Sequence, residues 1–208
     1  MKNKEALRKP GRPVSAEKRR AILEAAERAF MRAGYAASVD RIAASAGVTK
    51  QTVYGHFGNK QRLYREVVTR VMRAPVAEMI DRRLSVADTL RNYGRKTLSK
   101  LVSERYVVAH RRLIEQASAF PAMAKIHAEV GPGLSIQELS GYLADQMAVG
   151  VLRKVDARLA AEDFLSLLQG MMRLSRLFGH TEEPSAAMID RKVDHIVDVF
   201  LCVYGRAD

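Results

Sequence analysis

The sequence predicts an all-α protein, and three observations carry that expectation. Apolar residues recur at three- and four-residue steps in segment after segment, no stretch alternates as a half-buried strand does, and capping residues stand in front of the periodic runs. At 208 residues the chain can bury a full core in one or two domains, and it carries neither an internal repeat nor a low-complexity tract.

Residues 1–14, MKNKEALRKPGRPV, are polar, basic and broken by Pro10, Gly11 and Pro13, so they read as a flexible arm. A first helix follows over 15–33, with Ile22, Ala25, Ala26, Ala29, Phe30 and Ala33 on one face and Gly34 ending it. Ser38 is placed to cap a second, short helix, with Asp40 in its first turn, where a negative charge suits the helix dipole. Val39, Ile42, Ala43 and Ala46 form its apolar stripe, and Gly47 stands just past its end, where a left-handed backbone costs glycine least. Thr49 is placed to cap a third helix over 50–57 that hides Val53 and Phe57 and leaves Lys50, Gln51, Thr52, Tyr54 and His56 outside. Asn59 is placed to cap a fourth, which carries Leu63, Tyr64, Val67, Val68 and Val71 inward and runs from Lys60 into the early eighties, with Pro75 either kinking or splitting it.

Further amphipathic helices are expected over 86–102 and 105–118. Pro121 opens another, which Gly131-Pro132-Gly133 closes or bends before a segment over 134–149. Beyond a link at 150–155, Asp156 caps a helix to about 178, and the last helix covers 185–204. These final two are apolar on more than one face. Phe164, Leu167, Leu168, Met171, Met172, Leu174 and Phe178 mark the first; Met188, Ile189, Val193, Ile196, Val197, Val199, Phe200, Leu201 and Val203 mark the second. Such stripes ask either for a place inside the monomer or for a second chain.

Helix, glycine turn and capped helix with a polar outward face is the helix-turn-helix pattern, whose second helix enters the DNA major groove. Charge agrees: residues 1–60 hold 13 Lys/Arg against 5 Asp/Glu, hence +8 of the net +12, as phosphate contact requires. Arg12, in the Gly-Arg-Pro run of the arm, suits a narrow minor groove. Cys202 is the only cysteine, so no intramolecular disulfide forms, and it reads as a small core or interface residue in a reducing cytoplasm. No apolar leader and no membrane-spanning run is present. An enzyme is the rival class, but the five histidines, His56, His110, His127, His180 and His195, are far apart and match no metal motif. No phosphate-cradling glycine loop appears either, so neither a cofactor nor a metal is expected. A non-specific architectural DNA binder explains the charge but leaves the 148 residues after position 60 without a task.

The run AILEAAERAFMRAGYAASVDRIAASAGVTKQTVYGHFGNKQRL, residues 21–63, closely resembles the N-terminal domain of TetR/AcrR-type repressors, and GVTKQTVYGHFGNK is its most diagnostic piece. RRLIEQASAFPAMAKIHAEVGPG (111–133) and AAEDFLSLLQG (160–170) resemble, less closely, the AefR-like type of ligand-binding domain. The resemblance implies a DNA-binding domain over 15–60, a helical effector-binding and dimerisation domain over 61–208, and a homodimer through the last two helices, about 157–178 and 185–204. It implies a repressor released from a palindromic double-stranded operator by a small-molecule effector. Transferred position by position, it makes Lys50, Gln51, Thr52, Tyr54 and His56 the recognition-helix contacts, with Thr49 at the N-cap. Lys and Gln suit base edges, whereas Tyr and His more often donate to phosphates. Lys60 and Ser38, each at a helix N-terminus, suit phosphates as well. Gly55 stands where some relatives carry a large aromatic residue. For the effector, Met72, Met79, Tyr93, His110, Leu113, Gln116, Phe120, Met147 and Met172 are the candidate lining residues.

Overall fold

A computed structural model describes residues 15–77 and 80–206, with side chains for all of these except 72–77. Arg12 and Met79, and the side chain of Met72, therefore lie outside the described residues. Among these the elements are α1 (Ala16–Ala33), a 3-10 turn (Gly34–Ala36), α2 (Val39–Ser45), α3 (Lys50–Phe57), α4 (Lys60–Ala77), α5 (Val86–Val102), α6 (Glu104–Gln116), α7 (Pro121–Ala148), α8 (Ala157–Leu177) and α9 (Ala186–Tyr204). The fold is all-α, and a lone antiparallel bridge between Leu152 and Gly205 is the one extended pairing among the described residues.

The caps read from the sequence close the first turns of these helices. Oxygens of Ser38, Thr49, Asn59 and Asp156 accept the N–H groups of Asp40 (3.2 Å), Thr52 (3.1 Å), Arg62 (2.9 Å) and Arg158 (2.8 Å). Gly47 has φ +65°, as its place after α2 requires.

Three elements depart from expectation. Helix α4 stops at Ala77, and a turn at Asp81–Leu84 follows; Arg83 donates to both Asp81 carboxylate oxygens and holds that carboxyl down to about 2. Helix α7 passes straight through Gly131-Pro132-Gly133, because Gly131 is buried against the core while Pro132 faces solvent. The proline lacks an N–H, so the Ala128 carbonyl loses its usual donor. Helix α8 breaks at Gly170, which adopts φ +34°, ψ −151°, a conformation open to glycine and not to its neighbours.

Two cores hold the chain. One joins α5, α7, α8 and α9 around Leu90, Tyr93, Leu139, Leu143, Phe164 and Phe200. The other joins α1, α2, α3 and α4 around Ile22, Ile42, Val53 and Leu63, and it also takes in Met123, Ile126 and Val130 from α7. The head therefore does not end at residue 60. The inward face of α4 completes the head's core, and α7 seals it from the other side.

Candidate nucleic-acid interface and ligand cavities

Helix α3 is anchored by Val53 and Phe57, which are almost fully buried, and this fixes which side chains remain outside. Lys50, Gln51 and Tyr54 are exposed and Thr52 is half-buried. The Thr49 hydroxyl, besides capping the helix, lies 2.9 Å from that of Thr52. Lys50 donates to the Asp40 carboxylate at 3.0 Å, and that hydrogen bond raises the pKa of its ammonium. A candidate base reader is thus held by a carboxylate of α2, and DNA must replace that partner. His56 stacks on Phe57, and its Nδ1 is buried with no hydrogen-bond partner among the described residues.

Lys60 is placed differently from expectation. Its ammonium lies 4.6 Å from the centre of the Tyr35 ring, and burial there lowers its pKa. The α4 N-terminus is closed instead by Asn59. Arg41, which sequence reasoning passed over, is exposed on α2 with no ion pair or side-chain hydrogen bond among the described residues. Its sole signal in the sequence is a basic residue one step past Asp40. The head is stiffened from behind by the Arg19–Glu66 ion pair between α1 and α4 and by the Arg19 guanidinium 5.2 Å from the Phe57 ring.

Head and body meet at α6. Gln116 Oε1 accepts the Tyr35 N–H at 2.9 Å while its Nε2 donates to the Ala33 carbonyl at 3.2 Å. Arg112 donates to the carbonyls of Met31 and Arg32. The C-terminal end of α1 is thereby bolted to the C-terminal end of α6. At the other side of the body, Arg111 donates to the carbonyls of Leu177 (2.7 Å) and Arg176 (2.6 Å). The buried Arg176 in turn binds the Val102 carbonyl and the Glu104 carboxylate.

Two cavities flank α6. One, about 520 Å³, lies between head and body, walled by Phe30, Tyr35, Tyr64, Val67, Val71 and Met123 among others. The second, about 660 Å³, lies between α6, α7 and α8. Lys100, Tyr106, His110, Leu113 and His127 form a wall common to both. His110 and His127 rings meet edge to face at 5.6 Å, and Arg173 lies 2.9 Å from His110 Nε2. Burial, followed by the neighbouring Arg173 charge, pushes both imidazoles down to about 4.

Of the candidate lining residues with described side chains, His110 and Leu113 face the cavities and the others do not. Gln116 is occupied by its clamp on the head, and Phe120 packs on Tyr35 at 5.4 Å. Met147 fills the body core and Met172 packs against it. Tyr93 is buried behind the second cavity, its hydroxyl turned towards Thr97 and Ser135 of the wall. Helical periodicity marks all of these as inward-facing but does not tell a wall from a core. Tyr106 and Arg173, two polar lining residues that sequence reasoning missed, carry no motif.

The outer surface of α8 and α9 is apolar. Leu167, Met171, Leu174 and Phe178 form one exposed stripe, with Met171 70% and Phe178 80% accessible. Met188, Val199 and Val203 form another on α9, and Cys202 is exposed beside it rather than packed in the core. Among the described residues no helix is long and apolar enough to cross a membrane.

Residues 22–67 match the bacterial regulatory proteins of the tetR family, and residues 88–206 match the AefR-like transcriptional repressor C-terminal domain. No curated protein sequence matches the chain. Among solved structures the chain is similar to a putative TetR-family transcriptional regulator from Mesorhizobium loti MAFF303099. The two share 28% identity and a TM-score of 0.77, over 92% of this chain and 98% of that one. It is similar also to the flavonoid-responsive regulator FrrA, with 26% identity and a TM-score of 0.75 over 93% and 100%. A TetR family transcriptional regulator from Pseudomonas syringae pv. tomato str. DC3000 shares 25% identity and a TM-score of 0.69 over 93% and 100%.

Proposed function

The chain belongs to the tetR family of bacterial regulatory proteins and is a DNA-binding transcription regulator, and from that premise we propose that it is a homodimeric repressor, released from a near-palindromic operator by a small molecule bound beside α6. The observation that carries this reading is the placement of the cavities. Both share walls with α6, and α6 is the element that grips α1 through Gln116 and Arg112.

In this reading Lys50, Gln51 and Thr52 meet base edges, Tyr54 and His56 meet phosphates, and Ser38 and Arg41 flank them. Lys60 reaches a phosphate only by leaving the Tyr35 ring, and Arg12 would extend the contact into the minor groove. The exposed stripes of α8 and α9 pair with those of a second copy as a four-helix bundle, placing two recognition helices about 34–36 Å apart. A ligand that shifts α6 changes that separation. It releases DNA only to the extent that it binds one arrangement more tightly than the other. The protein acts in the cytoplasm, where its operator is, and performs no catalysis.

Footprinting on fragments recovered from random-sequence selection tests the reading. One protected near-palindrome occupied by an even number of chains supports it. Uniform coverage of any fragment would make the protein an architectural DNA binder instead.

A further inference from the structure

The second cavity contains a cation, Arg173, with no counter-ion among the described residues. Arg173 projects from α8 three residues beyond the Gly170 break, and its recorded contacts are to the Gln169 side-chain oxygen and to His110 Nε2, both uncharged partners. A guanidinium only donates, so Nε2 accepts, and His110 is the neutral imidazole protonated on Nδ1. The Arg173 Nε–H is buried with no hydrogen-bond partner among the described residues. The other charged walls do not neutralise it. Lys100 is a second cation, its ammonium 3.2 Å from the Val71 carbonyl, and Glu162 is held by Arg158 at 3.0 Å. His127, like His110, is uncharged at neutral pH because it is buried beside Arg173.

A half-buried guanidinium whose buried Nε–H is unpaired costs free energy that an arriving anion recovers. Its planar fork matches a carboxylate, which accepts two parallel N–H bonds. Leu101, Leu113, Ile114, Ile136 and Leu165 give the wall its apolar part, and Thr97, Ser135 and Ser166 add only uncharged hydroxyls. A volume of about 660 Å³ is the size that holds a ring system rather than an inorganic ion.

We propose that the cavity between α6, α7 and α8 binds an organic carboxylate with an aromatic or branched apolar body, and that Arg173 is its counter-ion. The proposal rests on the reading that the body carries an effector, and it adds the chemical class. A carboxylate on Arg173 competes with His110 for the guanidinium. The effect is thus delivered to α6, the helix that ends at the Gln116 clamp.

The test is calorimetric titration of the full-length protein with naphthalene-2-carboxylate and with its neutral isostere naphthalene-2-carboxamide. The acid is expected to bind at least about tenfold more tightly than the amide, the ratio expected for one charge-assisted pair. Arg173→Gln should bring the two within about threefold by weakening the acid alone, and Arg173→Lys should keep the acid preferred. Equal or tighter binding of the amide, no binding of the acid, or an undiminished acid preference in Arg173→Gln overturns the proposal. Operator affinity is measured separately by gel shift. If the acid binds with its Arg173-dependent preference and operator affinity stays unchanged, the ligand class stands and release by that ligand falls. If neutral compounds release the operator while the acid does not bind, release stands and the ligand class falls.

Discussion

At the residue scale, position on α3 separates readers from anchors. Gln51 is exposed and makes no side-chain hydrogen bond among the described residues, and in the proposed complex its amide meets a base pair. Gln51→Ala should relax preference at one operator position by about 1–3 kcal/mol and leave others unchanged, as competition gel shifts over single-base operator variants will show. An unaltered preference profile would remove Gln51 from the reading set. The histidine pair gives a second prediction. His110 and His127 are held at about 4 in the fold against an ordinary 6.5, so the unfolded chain binds more protons between those values. Stability contributed by the neutral imidazoles is complete above pH 6.5 and is lost as pH falls towards 4. The urea midpoint should drop from about pH 7 to about pH 5, and His127→Gln should flatten that drop.

At the element scale, close approach decides where side chains are tolerated. Gly34 has φ +60°, and a β-carbon there would lie 2.3 Å from Gln116 Oε1, so the α1 terminus meets α6 with no room to spare. Gln116→Ala removes the clamp without adding volume. It is expected to leave operator and ligand affinities within about twofold while lowering the coupling between them, typically 1–3 kcal/mol, measured by titrating ligand with and without operator. Undiminished coupling would shift the transmission to the α4–α7 contact. In the body, a β-carbon on Gly94 would stand 2.8 Å from Val193 Cγ1, where α5 meets α9. Gly94→Ala should destabilise the fold by about 1–3 kcal/mol in chemical unfolding. Between the same two helices Arg91 and Arg95 face Asp190, Asp194 and Asp198, a half-exposed ladder that fixes register more than it adds stability.

At the scale of the whole molecule, the proposed dimer pairs the exposed apolar stripes of α8 and α9, and in it assembly would set DNA recognition. Met171→Asp combined with Phe178→Asp puts two charges on that surface without touching either core. Sedimentation should then show a monomer of undiminished helix content, with operator binding lost because two heads no longer share one duplex. A dimer that persists would place the interface elsewhere. Operator affinity of the native protein should fall steeply with salt, since phosphate neutralisation releases counterions. Ligand and operator should each weaken the other by one common factor, as linkage demands.

Local chemistry was legible from the chain alone. Caps at Ser38, Thr49, Asn59 and Asp156, the apolar stripes of α1 to α4 and the outward face of α3 all depend on residues within one or two turns of each other, and periodicity records such relations directly. The double apolar character of α8 and α9 was equally visible. Only the tertiary structure decided the rest, because it depends on which distant faces meet. The family resemblance made Tyr93, Met147, His110 and Leu113 alike candidates for an effector wall; packing of α6 against α7 and α8 left a cavity at His110 and Leu113 and none at Met147. The Lys60 ammonium lies over the ring of Tyr35, a residue 25 positions earlier that no local pattern pairs with it. Helix α7 ran through Pro132 because burial of Gly131 and of the helix on both sides outweighs one lost hydrogen bond. Gln116 became a clamp, and Arg173 a cation lining the second cavity, through contacts with residues 83 and 63 positions away, distances over which a sequence pattern carries no signal.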